Sequence, residues 1–497
     1  MNVAKWMIPW KRFGALCMAG CVTASCLCAC QKAPDKSAVV SKNDGSSFEN
    51  KLVPDNGTTP TDIGEEKLQS AKDFSSTDGS VRFSVNLNTE LPTGSLSVVE
   101  VQPHILTAED IKQVATTLLP TGEFYYAEPL MEHKWTKSEI NERLKIWQQY
   151  ASAEALKEVF PNFDQEGLEK QADIVRAFIT KYTELYERTP EGNPHTPLEW
   201  KLDKVDKYIV ESEFRGDLSK SNDGIAAQTV VDGIPYFMLA STRDKKDFQL
   251  NMISLNIQDG IWPEKLDKFY YDTLLYSEEK PTEEQLKTIE EKAQKMLDGM
   301  QLGNWKVDSV SEEMKVIGSK KGFAITVSAT PVLNGMSAVR WKQLGSLKNP
   351  NGYAPEQYYT DAKFQFNADG TLISFDLRTP LDVQELQRGT VLDSKALMDR
   401  LEEFLSLSDA RSFDYDNRFI ESKSELACTV EISEMQYGLS RVQKADSQGY
   451  YYVPTVIFLG VTEITETDTG AVSRSGEKAE PLFAFNAIDG SEISLNG

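Results

Sequence analysis

The chain has 497 residues, of which 40% are hydrophobic and 10% aromatic, so it is long enough to bury more than one hydrophobic core. Its 76 acidic residues outnumber its 53 basic residues, which gives a formal net charge of −23. This charge repels nucleic acid and anionic lipid head groups, so the composition excludes a nucleic-acid-binding protein.

The first 30 residues predict export and attachment to a membrane. Three basic residues, at positions 5, 11 and 12, precede an uncharged segment from Phe13 to Ala29, as in a secretory signal peptide. The segment ends in Leu-Cys-Ala-Cys, which resembles a bacterial lipobox and predicts removal of residues 1–29 and lipidation of Cys30. The alternative is an uncleaved membrane anchor, but the segment is shorter than the roughly 20 apolar residues that a spanning helix needs. Both interpretations place the rest of the chain on the extracytoplasmic face of the cell membrane.

The cysteines are distributed unevenly. Five of the six lie within the first 30 residues, and only Cys428 remains in the body of the chain. Residues 425–430 alternate between polar and apolar, which predicts a strand with Cys428 facing a core. A nucleophilic cysteine would need a neighbour such as histidine to lower the pKa of its thiol, and none is indicated.

Residues 30–78 predict a disordered tether. Small and polar residues dominate this segment, and it carries too few apolar side chains to repay the entropy of ordering them. Order is predicted to begin near residue 79. Apolar residues alternate at 81–85 and recur at 96–101 after Pro92-Thr93-Gly94, which predicts a hairpin or strand pair.

Capping signals predict the helices that follow. Thr107 begins a short helix that ends before residue 120, and Thr136 with Glu139 begins a second one that extends to Pro161. A third helix is predicted from about residue 165 to the proline-containing loop at 190–197.

A repeated motif organises the remainder of the chain. The sequence Phe366-Asn-Ala-Asp-Gly-Thr-Leu-Ile-Ser374 returns as Phe485-Asn-Ala-Ile-Asp-Gly-Ser-Glu-Ile-Ser494, and a weaker copy surrounds Asp259-Gly260. Alternating apolar residues around Asp-Gly predict a β-hairpin, because glycine accepts the positive φ of a tight turn.

Each of the two stronger copies follows a predicted helix and strand-like segments. The helices begin at Thr282 and Asp393. The pattern predicts an α+β fold in which an α+β N-terminal region, 79–278, precedes two tandem helix-plus-antiparallel-sheet units, 280–380 and 390–497. Residues 462–480 are predicted to form a solvated loop.

Three parts of the sequence carry a family resemblance. The Cys30-Gln31-Lys32 start, the helical segment 136–150 and the Phe-Asn-Ala-Ile-Asp-Gly-Ser ending resemble a family of uncharacterised lipoproteins from Gram-positive bacteria, whose domain has no known function. The helix-plus-hairpin unit is also similar to PepSY-type domains and to exported regulators that restrain a cell-wall sensor kinase. These resemblances imply binding and regulation, and they supply no mechanism.

The sequence predicts no catalytic, cofactor-binding or metal-binding residues. Its three histidines, His104, His133 and His195, have no metal-ligand spacing and are predicted to be surface or loop residues. A calcium loop with Gly370 at its sixth position would place Gln365 at the first, where a carboxylate is preferred, so a hairpin turn is favoured.

The predicted function is therefore non-catalytic. We expect a membrane-anchored extracytoplasmic lipoprotein that binds a protein, a peptide or a cell-envelope component without a cofactor. Two alternatives remain: a carboxylate-based hydrolase, since acidic residues are abundant, and a solute-binding subunit of a transporter. The hairpin-rich pattern argues against the last of these, because such subunits are normally built from βαβ units.

Overall fold

A computed structural model describes the chain over thirteen ranges. They are 46–55, 64–128, 134–204, 223–242, 252–257, 272–273, 275–318, 320–339, 360–414, 419, 424–444, 450–475 and 479–493. The signal segment, Cys30, His133 and the weaker motif copy at Asp259-Gly260 lie outside the described residues.

Four helices begin where the capping signals predicted, after Thr107, Thr136, Thr282 and Asp393. Thr107, Thr136 and Thr282 each accept a hydrogen bond from the amide three residues on, and each capping box is complete. The helices are α1 Ser46–Glu49, α2 Ala108–Leu118, α3 Lys137–Gln149, α4 Ala153–Val159, α5 Gln165–Arg188, α6 Glu283–Met300 and α7 Ser394–Leu407. The single helix predicted up to Pro161 is wrong, because Ser152 caps a second helix by accepting from the Ala155 amide.

The strands form two sheets. The first, which we call the terminal sheet, contains β1 Val53–Pro54, β2 Gly64–Ser75, β3 Val81–Thr93, β4 Ser95–Pro103, β15 Leu381–Thr390, β16 Leu426–Gln443, β17 Tyr450–Glu466, β18 Val472–Arg474, β19 Glu480–Asn486 and β20 Glu492–Ile493. The second, which we call the central sheet, contains β5 Tyr125–Tyr126, β6 Asp203–Lys204, β7 Asp223–Val231, β8 Ile234–Thr242, β9 Met252–Ile257, β10 Trp305–Ile317, β11 Lys320–Leu333, β12 Met336–Ser337, β13 Asp361–Phe366 and β14 Leu372–Arg378.

The pairing within both sheets is almost entirely antiparallel. The central sheet runs β10-β11-β13-β14-β9-β8-β7-β5, with β12 beside β11 and β6 beside β7. The terminal sheet runs β1-β15-β4-β17-β16-β3-β2, with β18 and β19 beside β17 and β20 beside β19. The parallel pair between β16 and β3 is the exception among the described strands. The chain is therefore a mixed α+β protein, as predicted.

In the sequence, the strands of the central sheet lie between two groups of strands that form the terminal sheet. Strands β1 to β4 belong to the terminal sheet, β5 to β14 to the central sheet, and β15 to β20 to the terminal sheet again. The chain leaves the terminal sheet after Pro103 and returns at Leu381, and these two residues are paired between β4 and β15. The sheets therefore do not follow the predicted unit boundaries: β9 of the N-terminal region pairs directly with β14.

Two local predictions fail near the N-terminus of the described chain. The tether was predicted to extend to residue 78, but residues 64–75 form β2, which pairs with β3 over its whole length. The backbone of β3 supplies hydrogen-bond partners regardless of composition, so a polar segment can be ordered there. The predicted hairpin between β3 and β4 is also absent, since β3 pairs with β2 and β16 and β4 pairs with β15 and β17.

The two faces of the central sheet differ in chemistry. Residues that pair directly across antiparallel strands share a face. One such row crosses five strands and is fully buried; its members are Met238, Leu255, Phe375, Phe364 and Val327. This face packs against α2 to α6 in one hydrophobic core. The next row faces the other way and is polar; its members are Ser254, Asp376, Lys363, Ser328 and Ser309.

The terminal sheet has a separate core beneath α7. Leu397, Leu401 and Leu405 recur on one face of this helix and are all buried. The Phe404 ring contacts those of Phe483 and Phe485 on β19, with ring centroids 5.5 and 5.3 Å apart. Cys428 lies in this core with 3% exposure, so its predicted strand position is confirmed.

The two predicted Asp-Gly hairpins are confirmed and share two hydrogen bonds that involve side chains. Gly370 and Gly490 have φ of +91° and +74°, which favours glycine. In each turn the aspartate accepts from the amide two residues later, that of Thr371 or of Ser491. A basic side chain from the preceding helix also donates to each glycine carbonyl: Lys292 Nζ on α6 at 2.7 Å, and Arg400 Nε on α7 at 2.8 Å.

The segment predicted as a solvated loop is in part strand. Residues 462–466 continue β17 and residues 472–474 form β18, which pairs back onto β17. The turn between them is the exposed part of this segment. A polar, threonine-rich composition is compatible with an edge hairpin as well as with a loop.

Candidate recognition edge and histidine clusters

His104 lies where the chain leaves the terminal sheet, and it is bound on both sides of its ring. Its Nδ1 is 2.9 Å from Asp382 Oδ1 at the start of β15, and its Nε2 is 3.1 Å from Asp110 Oδ2 on α2. Its backbone amide donates to the carbonyl of Pro380 at 2.7 Å. Burial opposes the charged form of this ring, but the hydrogen bonds and charges of Asp382 and Asp110 outweigh that effect and raise the pKa of His104.

His195 lies beside β7 of the central sheet, and its side chain is only 5% exposed. Its Nε2 is 3.3 Å from Glu139 Oε2, at the start of α3, and its Nδ1 is 3.2 Å from Gln228 Nε2 and 3.8 Å from Glu128 Oε2. The hydrogen bond to Glu139 raises the pKa of His195 against the effect of burial, and the charges of Glu139 and Glu128 act in the same direction. His195 is therefore a loop residue, as one part of the prediction had it, but its side chain is buried and not at the surface.

The sequence analysis did not predict the contacts between the two histidines and their carboxylate neighbours. Glu139 was predicted as a helix cap, and it does accept from the Thr136 amide at 2.7 Å, so it serves both the cap and His195. Gln228 approaches His195 from β7, 33 positions away in the chain. No local signal marks such a contact, because it depends on how the loop at 190–197 packs against the sheet.

Neither cluster has the arrangement of a metal site. Among the described residues, no group of three or more histidine, cysteine, aspartate or glutamate side chains could hold a metal ion. Cys428 is remote from both histidines in the chain, and burial raises the pKa of its thiol to about 12. Its thiolate is therefore scarce at neutral pH, which disfavours a nucleophilic role.

The outer edge of β10 is the exposed feature best suited to binding. This 13-residue strand ends the central sheet, and no described strand pairs with its outer side. Two apolar side chains project from the same face near its C-terminal end: Met314 is 52% exposed and Val316 is 68% exposed. A long edge strand with exposed apolar side chains is a template for pairing with another extended segment.

The edge strand β2 differs from β10 in its exposed apolar side chains. It is also long and ends the terminal sheet, and each of the two strands carries five charged residues. Large apolar side chains are exposed on β10, at Met314 and Val316, but not on β2. Of the two long edges, β10 is therefore the better candidate for recognition of an apolar segment.

Comparison with known proteins adds no relative. No model of a known protein family matches the chain, and no curated protein sequence matches it. Among the described helices, none combines the length and apolar character needed to cross a bilayer.

Proposed function

We propose that this protein is a lipid-anchored extracytoplasmic lipoprotein that binds an extended polypeptide segment along β10. The observation that carries this proposal is the outer edge of β10, with which no described strand pairs, and the exposure of Met314 and Val316 on that strand. Backbone hydrogen bonds along the edge would provide affinity, and alternate side chains of the bound segment would contact the two apolar residues.

The charge of the chain narrows the class of partner. The net charge of −23 favours a basic segment over an acidic one. Glu312 lies near the middle of β10, and its side chain is 39% exposed. Its Oε2 is 2.9 Å from Lys280 Nζ. The proposed partner is therefore an extended segment with apolar residues at alternate positions and basic residues between them.

The proposed location of the protein supports a binding role. Lipidation at Cys30 would hold the chain at the membrane, where a partner in the envelope or on the cell surface is accessible. We further propose membership of the uncharacterised lipoprotein family that the sequence resembles, in which a binding or regulatory role is the implied one.

We also propose that two tandem units underlie the fold. After α6, the strands β10, β11, β13 and β14 pair in succession, and after α7, the strands β16, β17, β19 and β20 do the same. The Asp-Gly turn lies between the last two strands in both series. This shared order, together with the matching contacts of Lys292 and Arg400, supports a PepSY-like unit used twice.

The hydrolase remains a second candidate because of the His195 cluster. A buried histidine between two glutamates is a group that could transfer protons. Its Glu139 is also engaged in a helix cap, however, so the carboxylate is not free to serve a substrate alone.

A defined peptide tests the binding proposal. The probe is a fluorescent peptide of alternating valine and lysine, and its binding to the full chain is measured by fluorescence anisotropy. We expect Met314→Lys and Val316→Lys each to weaken binding by about tenfold. Each substitution removes an apolar contact that the peptide would bury, and each adds a positive charge that repels the lysines of the peptide.

The matched control is Val472→Lys, which places the same charge at an exposed valine on β18. Its affinity should equal that of the unmodified chain, and equal losses in all three variants would contradict recognition at β10. Hydrolysis of the probe that disappears in Glu128→Gln would instead favour the hydrolase.

A further inference from the structure

The chain passes between the two sheets at two adjacent segments. The first, residues 103–107, connects β4 to α2, and the second, residues 378–382, connects β14 to β15. We call these two segments the junction. They lie side by side because Pro103 pairs with Leu381 and Gln102 pairs with Asp382.

His104 contacts both segments of the junction and the helix that follows it. Its amide donates to Pro380, its Nδ1 faces Asp382, and its Nε2 faces Asp110 on α2. α2 packs in the core of the central sheet through Ile111, Val114 and Leu118. The imidazole therefore links the terminal sheet, through β15, to the core of the central sheet.

Both bonds of this ring require its protonated form. A neutral imidazole has one N–H donor and one acceptor nitrogen, whereas both neighbours are carboxylates and can only accept. Asp110 Oδ2 already accepts from the amide and the hydroxyl of Thr107, at 2.7 and 2.6 Å, which keeps it ionised in the capping box. Among the residues that the structure describes, Asp110 and Asp382 are the charged groups that contact the ring.

A second contact between the sheets lies away from the junction. The turn after β11 reaches the terminal sheet, where Asn334 Nδ2 donates to Ser97 Oγ at 2.7 Å and the Val339 amide donates to the Leu439 carbonyl at 2.8 Å. These bonds are between neutral groups that do not titrate near neutral pH. A change in protonation at the junction would therefore leave this contact in place as a pivot.

We propose that His104 is a pH-dependent latch between the two sheets, closed when its imidazole is protonated and bound to both Asp110 and Asp382. Loss of the proton leaves one nitrogen lone pair facing a carboxylate, so one of the two bonds is lost and the junction loosens. The raised pKa of His104 means that the latch is fully closed below the ordinary value of 6.5 and opens as the pH rises through the raised value.

Hydrogen exchange and distance measurements on the full chain test the latch. Fluorophores are attached to non-natural amino acids in place of Lys170 on α5 and Lys395 on α7, whose side chains are 70% and 85% exposed. Between about pH 5 and about pH 9, we expect the distance distribution to broaden and the exchange protection of the His104 amide to fall several-fold after correction for intrinsic rates. His104→Gln should show the loosened state at every pH.

Asp382→Asn provides a second variant that keeps the histidine. It removes one of the two carboxylates that raise the pKa, so the transition should move to lower pH. The control is Glu109→Gln, which changes a 79% exposed carboxylate next to Asp110 and should titrate like the unmodified chain. A pH-independent distance and protection in the unmodified chain, or an unchanged transition in Asp382→Asn, would overturn the latch.

Discussion

At the scale of single residues, the two cysteines of interest have different surroundings. Cys428 is buried in the terminal core, and burial raises the pKa of its thiol to about 12. Cys30 lies outside the described residues, and its lipidation stays a prediction from the lipobox-like sequence. A buried thiol with a raised pKa is a poor nucleophile, so Cys428 does not offer a reactive group to a substrate.

We expect Cys30→Ala to abolish attachment of the lipid. The acyl chain is joined through the thiol sulfur, which alanine lacks, and the signal segment should then remain uncleaved or the chain should be released. Metabolic labelling with a radioactive fatty acid in a bacterial host measures this. Cys26→Ala, a change within the same segment, is the control and should label normally; label retained on Cys30→Ala would refute the lipobox assignment.

At the scale of elements, the two Asp-Gly turns depend on the helices that precede them. Each glycine carbonyl faces a basic side chain from the helix above it, which fixes the hairpin against the helix. Arg400 is the better shielded of the two, with 18% of its side chain exposed, whereas Lys292 is exposed. The helix-to-turn bond therefore holds together two elements that are about ninety positions apart in the second unit.

We predict that Arg400→Met lowers the free energy of unfolding by about 2 kcal/mol and that Lys292→Met lowers it by about 1 kcal/mol. Both substitutions remove the hydrogen bond from a charged donor to a glycine carbonyl. Lys292 is more exposed than Arg400, so water can replace more of the lost hydrogen bonding in Lys292→Met. Urea denaturation followed by circular dichroism measures the difference. Lys395→Met, at an 85% exposed position on the same helix as Arg400, should change stability by less than about 0.5 kcal/mol.

At the scale of the whole molecule, the terminal sheet is assembled from both ends of the described chain. Strands β3 and β16, which pair in parallel, are separated by more than 300 positions, and the whole central sheet lies between them in the sequence. Such contacts close a very long loop, so they form late and make the terminal sheet dependent on both of its segments.

Because the central sheet lies between Pro103 and Leu381 in the chain, we predict that residues 104–380 can be removed. Since Pro103 and Leu381 are paired neighbours, replacing residues 104–380 by an Asn-Gly turn should preserve β4, β15 and the rest of the terminal sheet. We expect a folded protein with a cooperative thermal transition, although with lower stability, because Leu439 and Tyr452 lose contacts with the turn after β11.

The same reasoning predicts that residues 390–497 alone will not fold cooperatively, since they lack β3 and β4. Calorimetry of both proteins distinguishes the two outcomes. A cooperative transition in the isolated 390–497 segment would show that it is an independent unit. An unfolded chain after removal of 104–380 would show that the terminal sheet needs these residues to fold.

The sequence alone determined the features that arise from nearby residues. The helix starts at Thr107, Thr136, Thr282 and Asp393, and the two Asp-Gly turns, follow from hydrogen bonds made within a few positions. The burial of Cys428 follows from period-two alternation, which marks the inner face of a strand without naming its partner. These signals depend on residues a few positions apart, so they can be recognised without knowing how the rest of the chain folds.

Only the tertiary structure decided which strands pair and which side chains meet. β2 is polar, yet it is ordered because β3 offers its backbone, and no property of residues 64–75 themselves predicts this. Likewise, His104 acquires Asp382 from 278 positions away through the register of β4 and β15. Strand partners and long-range ion pairs depend on the free energy of the whole assembly, whereas a local pattern records only which face is apolar and where the chain turns.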